Sequence, residues 1–119
     1  MFFPLKLLNQ NLDLIKSKIM MIQKGGCIYI ISNKTREIFY VGVTSDLKQR
    51  IWQHKNDIYP KSFSAKYKCN ILLYYEVFST IVEAIAREKQ LKAGSRKVKQ
   101  DLVMALNPTL KDLWEEVQY

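Results

Sequence analysis

Three short runs in the middle of the chain, CIYII at 27–31, IFYVGV at 38–43 and ILLYYEVF at 71–78, are dense in β-branched and aromatic residues. Such runs predict β-strands. The polar stretch SNKTRE between the first two marks a hairpin, and the third run completes one three-stranded antiparallel sheet. Between and after these runs the apolar spacing becomes helical. A helix opens near Asp46, which is placed to cap it with Gln49 three residues on. A second opens at the capping box Thr80-Ile81-Val82-Glu83. A third runs through Val98, Leu102, Ala105 and Leu106 and stops at Asn107, because Pro108 disfavours a helical conformation before it. Leu110, Leu113 and Trp114 then close the core. The expected class is α/β of the α+β type, a compact domain whose sheet is flanked by helices. Upstream, Leu5, Leu8, Leu12, Ile15, Ile19 and Ile22 recur at spacings of 3 and 4 and predict an amphipathic helix, which Gly25 and Gly26 end. The expected organisation is a helical extension over 1–23 and a domain over 24–119. The apolar stripe suits docking on the chain's own domain, on a second copy in a homodimer, or on a partner protein.

Several polar side chains fall where this pattern expects the interior. With the hairpin loop centred on Lys34 and Thr35, Tyr29 lies directly opposite Tyr40 on one face of the sheet. Gly42, two residues beyond Tyr40, weakens a strand unless something approaches its backbone closely. In the helix after Asp46, Leu47 and Ile51 mark the core side, and Arg50 and His54 project toward it. A guanidinium in that position needs an anion. In the next helix Ile81, Ala84, Ile85 and Leu91 form the apolar arc, with Glu88 in its middle. A carboxylate there is costly unless it meets a cation or a metal. Lys92 at i+4 is one such cation, although a pair of this kind contributes only about 0.3–0.5 kcal/mol on an exposed helix. Asn107 fits a helix C-cap as well as a site.

Charge adds a partner to this picture. The 119 residues carry 19 Lys and Arg against 11 Asp and Glu, a formal charge of +8. Residues 24–70 hold nine bases and three acids, whereas residues 71–119 hold seven of each. A basic segment inside a folded domain suits a polyanion such as nucleic acid, with Lys34, Arg36, Lys48, Lys55 and Lys66 as candidate contacts. Cys27 and Cys69 alone build neither a disulfide framework nor a paired-cysteine zinc site, so a reduced cytoplasmic setting is expected. His54 is the only histidine, which excludes multi-histidine metal cages, and no Gly-x-Ser-x-Gly elbow occurs. No run approaches the roughly 18 apolar residues of a membrane span, so no membrane is expected.

Two tyrosines, an arginine, a histidine and a glutamate on a basic domain suit phosphodiester hydrolysis. Glu88 offers the carboxylate oxygen that one Mg²⁺ or Mn²⁺ ion takes while keeping several waters. Such an ion polarises a phosphate oxygen and stabilises the leaving alkoxide, and Arg50 neutralises charge gathering on the phosphoryl group. A phenol such as Tyr29 serves as base for a water only if nearby cations favour its anion, and His54 can take the proton onward.

Cys27-Ile28-Tyr29, Tyr40-Val41-Gly42 eleven residues on, Arg50-Ile51-Trp52-Gln53-His54, the stretch from Glu83 to Lys92, and Asn107-Pro108 form an ordered series. The series resembles the GIY-YIG endonuclease family, nearest to its small stand-alone bacterial members, over about residues 24–115. The resemblance implies a three-stranded antiparallel sheet, one divalent cation, and cleavage of nucleic acid, DNA in the first place, to a 5′-phosphate and a 3′-hydroxyl. It implies that Tyr29 and Tyr40 are the motif tyrosines, Arg50 the catalytic arginine, His54 the histidine of some branches, Glu88 the metal ligand and Asn107 a supporting polar residue. Cys27 stands for the usual first glycine and Val41 for an isoleucine, changes a strand tolerates. Lys92-Ala93-Gly94-Ser95 lacks the tryptophan usual after the glutamate helix, and residues 1–23 lie outside the resemblance. Two other functions fit the same residues: a nucleic-acid-binding module of this fold without turnover, and an interaction protein dimerising through the N-terminal stripe.

Overall fold

The structure, a computed structural model, describes residues 3–4 and 25–118. The predicted strands form as β2 (Gly26–Ser32), β3 (Phe39–Thr44) and β4 (Ile71–Phe78), and a two-residue strand β1 (Phe3–Pro4) pairs with β4. The sheet order is β1-β4-β2-β3 with every pairing antiparallel. The helices are α1 (Leu47–Lys55), α2 (Phe63–Lys66), α3 (Ile81–Ala93) and α4 (Arg96–Leu106), followed by a 3₁₀ turn at Trp114–Val117. The amphipathic stripe from Leu5 to Ile22, with the homodimer or partner surface assigned to it, lies outside the described residues. Both expected caps are made: Asp46 Oδ1 accepts from Gln49 N–H at 3.0 Å, and Thr80 Oγ1 from Glu83 N–H at 3.2 Å. Among the described residues no helix is long and apolar enough to cross a membrane.

The hairpin register differs from the expected one. Tyr29 pairs with Gly42, and Ile31 with Tyr40. The loop centre therefore moves from between Lys34 and Thr35 to between Thr35 and Arg36. Asn33 builds the longer loop, its Oδ1 accepting from the N–H groups of Glu37 and Ile38 at 3.0 Å each, and Arg36 adopts a left-handed φ of 63°. A slip of two residues along a strand keeps every side chain on its face. Tyr29 and Tyr40 thus stay on one side as diagonal neighbours rather than a facing pair.

The sheet has a core on each face. Cys27, Tyr29 and Ile31 pack with Leu47, Ile51, Leu72, Tyr75 and Leu113 on the α1 side, and Ile28 and Ile30 with Leu73, Tyr74, Ala84, Leu91 and Val103 on the α3 side. Three predicted core positions fall outside: Ile85 is 37% and Val98 47% exposed, and Ala105 is exposed as well. Gly26 explains the first, because a Cβ there would lie 2.8 Å from both Ala84 Cβ and Ile81 Cα. That close approach seats α3 on its Ile81–Ala84–Leu91 line and turns Ile85 outward. α4 meets the core through Leu102, Val103 and Leu106, which leaves Val98 and Ala105 outside.

Two buried polar groups hold β4. A bulge opposite Ile30 and Ile31 leaves Leu73 without a ladder partner. Buried Asn107 donates Nδ2–H to the Leu73 carbonyl at 3.1 Å and to Lys111 O at 2.8 Å, while its Oδ1 accepts from Lys111 N–H at 3.2 Å. Fully buried Glu76 receives Arg87 in a fork, Nε to Oε1 at 2.9 Å and Nη2 to Oε2 at 3.1 Å, together with the Tyr74 hydroxyl. Glu76 carried no sequence signal as a paired charge, since Arg87 lies on a different element.

Candidate active site

The site forms on the α1 side of β2 and β3, and Gly42 is its geometric condition. A Cβ at Gly42 would fall 2.2 Å from Tyr29 Cζ and Oη. What approaches this backbone is the Tyr29 ring, which can cross β3 only because position 42 has no side chain. Its hydroxyl thereby reaches His54 Nε2 at 2.8 Å. Leu47 and Ile51 anchor α1 in the core, and His54, one turn beyond Ile51 bar one residue, is carried to the same buried side. The Tyr29 and Tyr40 rings meet the imidazole edge-on at centroid distances of 5.5 and 6.0 Å. On its far side His54 Nδ1 is 3.0 Å from Ser64 Oγ, which is 3.1 Å from Ser62 Oγ.

The electrostatics of the pair follow from enclosure. Burial pushes the Tyr29 phenol well above its usual range; the Arg50 guanidinium pulls the other way, and Tyr40 and Glu88 add to the rise. The cation expected to favour the Tyr29 anion is present, but burial outweighs it. Burial first and Arg50 second hold His54 down at about 4. At neutral pH a protonated phenol therefore faces a neutral imidazole. Arg50 also donates to Gln53 Oε1 at 3.1 Å and lies over the Tyr59 ring at 5.3 Å.

Glu88 approaches from α3. Its side chain is 16% exposed, and Oε2 is 3.3 Å from Lys92 Nζ. Lys92 in turn lies 5.5 Å from the Tyr40 ring centroid, which ties α3 to β3. Among the described residues Glu88 Oε1 has no hydrogen-bond partner, so a half-enclosed carboxylate keeps one hard oxygen open. These residues hold no group of three His, Cys, Asp or Glu that would form a complete metal cage. That donor set fits Mg²⁺ or Mn²⁺, which bind through one or two carboxylates and retain waters.

The other expected contacts divide. Lys34 and Lys66 are exposed, with Lys66 Nζ 5.4 Å from the Tyr67 ring. Arg36 donates to Leu110 O at 3.1 and 3.0 Å, and Lys48 to Gln118 O at 3.0 Å. Lys55 donates to Asn70 O at 2.7 Å and pairs with Asp112 at 2.6 Å. These three brace the fold. Asn107 shares no hydrogen bond with Tyr29, Tyr40, Arg50, His54 or Glu88; its amide is engaged at the β4 bulge.

The segment between α1 and β4 supplies what the hydrophobic pattern missed. Phe63 stacks on Tyr40 at 5.9 Å and 24°, and Tyr67 tilts against Phe63 at 4.6 Å. Tyr59, Phe63 and Tyr67 are 54, 50 and 38% exposed. Three aromatic residues interleaved with Lys61, Lys66 and Lys68 were the available signal for a rim. Ser64 had none, being one of two serines in an aperiodic stretch.

The sequence pattern described as the GIY-YIG catalytic domain matches residues 25–101. The UPF0213 protein SSP2268 of Staphylococcus saprophyticus is 34% identical over 76 residues, covering 64% of this chain and 90% of that protein. No solved structure gives a significant match. The matched segment takes in β2, β3, α1 and α3, the elements that bring Tyr29, Tyr40, Arg50, His54 and Glu88 together, and the chain therefore belongs to the GIY-YIG family.

Proposed function

We propose that the protein is a divalent-metal-dependent endonuclease that hydrolyses nucleic-acid phosphodiester bonds, DNA foremost, leaving a 5′-phosphate and a 3′-hydroxyl. The observation that carries this reading is the enclosed Tyr29–His54 hydrogen bond of 2.8 Å, whose phenol feels both the Arg50 cation and the Glu88 carboxylate. A phenol bonded to a neutral imidazole relays a proton without having to ionise beforehand. As water oxygen bonds to phosphorus, its proton passes to Tyr29 Oη while the Tyr29 proton passes to His54 Nε2. The phosphorus–O3′ bond breaks, and the 3′ oxygen takes a proton from solvent. Arg50 faces the charge that builds on the phosphoryl oxygens. A phosphate seated on Arg50 also cancels part of the positive field that holds His54 down, so substrate raises the basicity of the imidazole. Glu88 would hold the cation, which when bound supplies Lewis-acid charge to the phosphate and the leaving oxygen.

The rim supports a nucleic-acid substrate. Phe63, Tyr67 and Tyr59, with Lys66 and Arg50 beside them, offer ring faces and cations together. Such a surface favours bases whose faces are open over bases stacked in a duplex. The test is cleavage of labelled single-stranded, duplex, flapped and branched DNA, and of RNA, with Mg²⁺ or Mn²⁺ and with chelator, wild type beside Glu88→Ala. Metal-dependent products that vanish in Glu88→Ala are expected, with unpaired substrates cut fastest. Binding without cleavage under every condition would overturn the hydrolase and leave the silent binding module.

A further inference from the structure

We propose that Ser64 is a positioning residue that fixes the tautomer of His54 and, with Ser62, gives the Tyr29 proton a route to solvent. This inference rests on the hydrolase reading and extends it beyond the residues in contact with substrate.

The Tyr29 hydroxyl belongs to a residue that is 1% exposed. A buried hydroxyl has to donate its proton, because a buried donor left unpaired is costly. Among the described residues its acceptor is His54 Nε2 at 2.8 Å. That nitrogen must then carry a lone pair, which places the imidazole proton on Nδ1. His54 Nδ1–H donates to Ser64 Oγ at 3.0 Å, on a residue only 3% exposed. Ser64 Oγ, now an acceptor, is free to donate its own proton to Ser62 Oγ at 3.1 Å. Ser62 Oγ also accepts from Ala65 N–H at 3.2 Å as the cap of α2, so its hydroxyl proton points onward. Onward is a cavity of about 10 Å³ lined by Arg50, Gln53, Asp57 and the two serines, which has room for one water. Every donor in the chain Tyr29, His54, Ser64, Ser62 therefore points the same way, from the reacting end to the surface.

That polarity defines a balanced transfer. When Tyr29 gives its proton to Nε2, the Nδ1 proton moves to Ser64 Oγ, the Ser64 proton to Ser62 Oγ, and the Ser62 proton to water in the cavity. The proton taken from the attacking water restores the phenol. The net result is one proton moved from the site to solvent, with no charge left on the enclosed imidazole.

His54 is the only histidine, so a ¹⁵N-labelled chain gives a single set of imidazole signals. A protonated Nδ1 with a bare Nε2 is expected in the wild type; in Ser64→Ala the buried Nδ1–H loses its acceptor while Tyr29 still calls for a bare Nε2, so a mixture of the two tautomers is expected. With the best substrate found above, Ser64→Ala should lower kcat about 10- to 100-fold with KM unchanged. Ser64→Thr, which keeps the hydroxyl, should restore most of it, a rescue that a simple packing role would not give. A protonated Nε2 in the wild type, or wild-type kcat in a folded Ser64→Ala, would overturn the proposal. The tautomer spectrum needs no turnover, so a chain that cleaves nothing overturns the hydrolase while the spectrum still decides the place of Ser64.

Discussion

Replacing Gly42 by alanine puts a methyl group where the Tyr29 ring already lies. The new Cβ would sit 2.2 Å from Tyr29 Cζ and Oη, whereas carbon contacts are comfortable near ~3.5 Å. The ring must withdraw by about 1 Å or more, which stretches the 2.8 Å bond to His54 past hydrogen-bonding range. Among the described residues no glycine has a positive φ, so the backbone accepts alanine, and its lower chain entropy returns about 0.5–1 kcal/mol. Against this stand about 1–3 kcal/mol of overpacking and about 1–3 kcal/mol for an orphaned buried polar group. The net expectation is a loss of about 1–5 kcal/mol, centred near 3, a fall in Tm of roughly 12 °C at that centre for a domain of this size, and loss of cleavage by the fraction that stays folded. Thermal unfolding followed by circular dichroism measures the first, and turnover per folded molecule the second. The clash has a specific signature, because removing the ring removes it. In a Tyr29→Ala background Gly42→Ala should cost nothing, giving a coupling energy of at least about 2 kcal/mol in a double-mutant cycle. Additive effects, or a Gly42→Ala chain as stable and active as the wild type, would refute the account of why position 42 is glycine.

Three further outcomes follow from the same contacts. Glu76→Gln removes the buried carboxylate that Arg87 and Tyr74 share and should lower the stability measured by urea unfolding by about 3–5 kcal/mol; a change under 1 kcal/mol would show the network to be dispensable. Asn107→Ala strips the Leu73 carbonyl of its donor and should cost about 1–3 kcal/mol while leaving turnover per folded molecule unchanged, so a selective loss of turnover would return Asn107 to the site. The unfolded chain protonates His54 near its ordinary 6.5 while the folded chain resists until about 4, so the unfolded state binds more protons between those values. Stability contributed by the neutral imidazole is full above about 6.5 and declines as pH falls toward 4, by at most about 3 kcal/mol. Unfolding free energies measured across that window should flatten in His54→Gln, and an unaltered slope would contradict the low pKa.

Much of the fold was legible in local pattern. The run at 71–78 marks β4 with its observed ends, Asp46 and Thr80 cap the helices they were expected to cap, and the 3.6-residue period carries His54 to the buried side of α1. These are properties of a few neighbouring residues, so local propensity and side-chain period suffice to express them. Three members of the candidate site stood out for the same reason: Arg50, His54 and Glu88 are polar side chains on the apolar side of their own helices, whereas Tyr29 lies in phase with Cys27 and Ile31 of the core.

Other features needed the tertiary structure because they depend on residues distant in sequence. The hairpin register turned on the Asn33 side chain gathering two backbone N–H groups, a choice that strand pattern does not encode. Ile85 and Val98 looked apolar enough for the core, but the close seat of α3 on Gly26 and the docking of α4 through Val103 decided which side faced inward. Lys55 and Arg36 resembled free cations until Asp112, Asn70 and Leu110 were brought against them. The meaning of Gly42 also lay across the sheet, in a ring thirteen residues away. Sequence pattern by itself determined which side chains break rank with the core, since that is written in the period of each element. Only the packed structure decided which of them meet, because burial, pairing and pKa arise from neighbours that a linear chain does not place side by side.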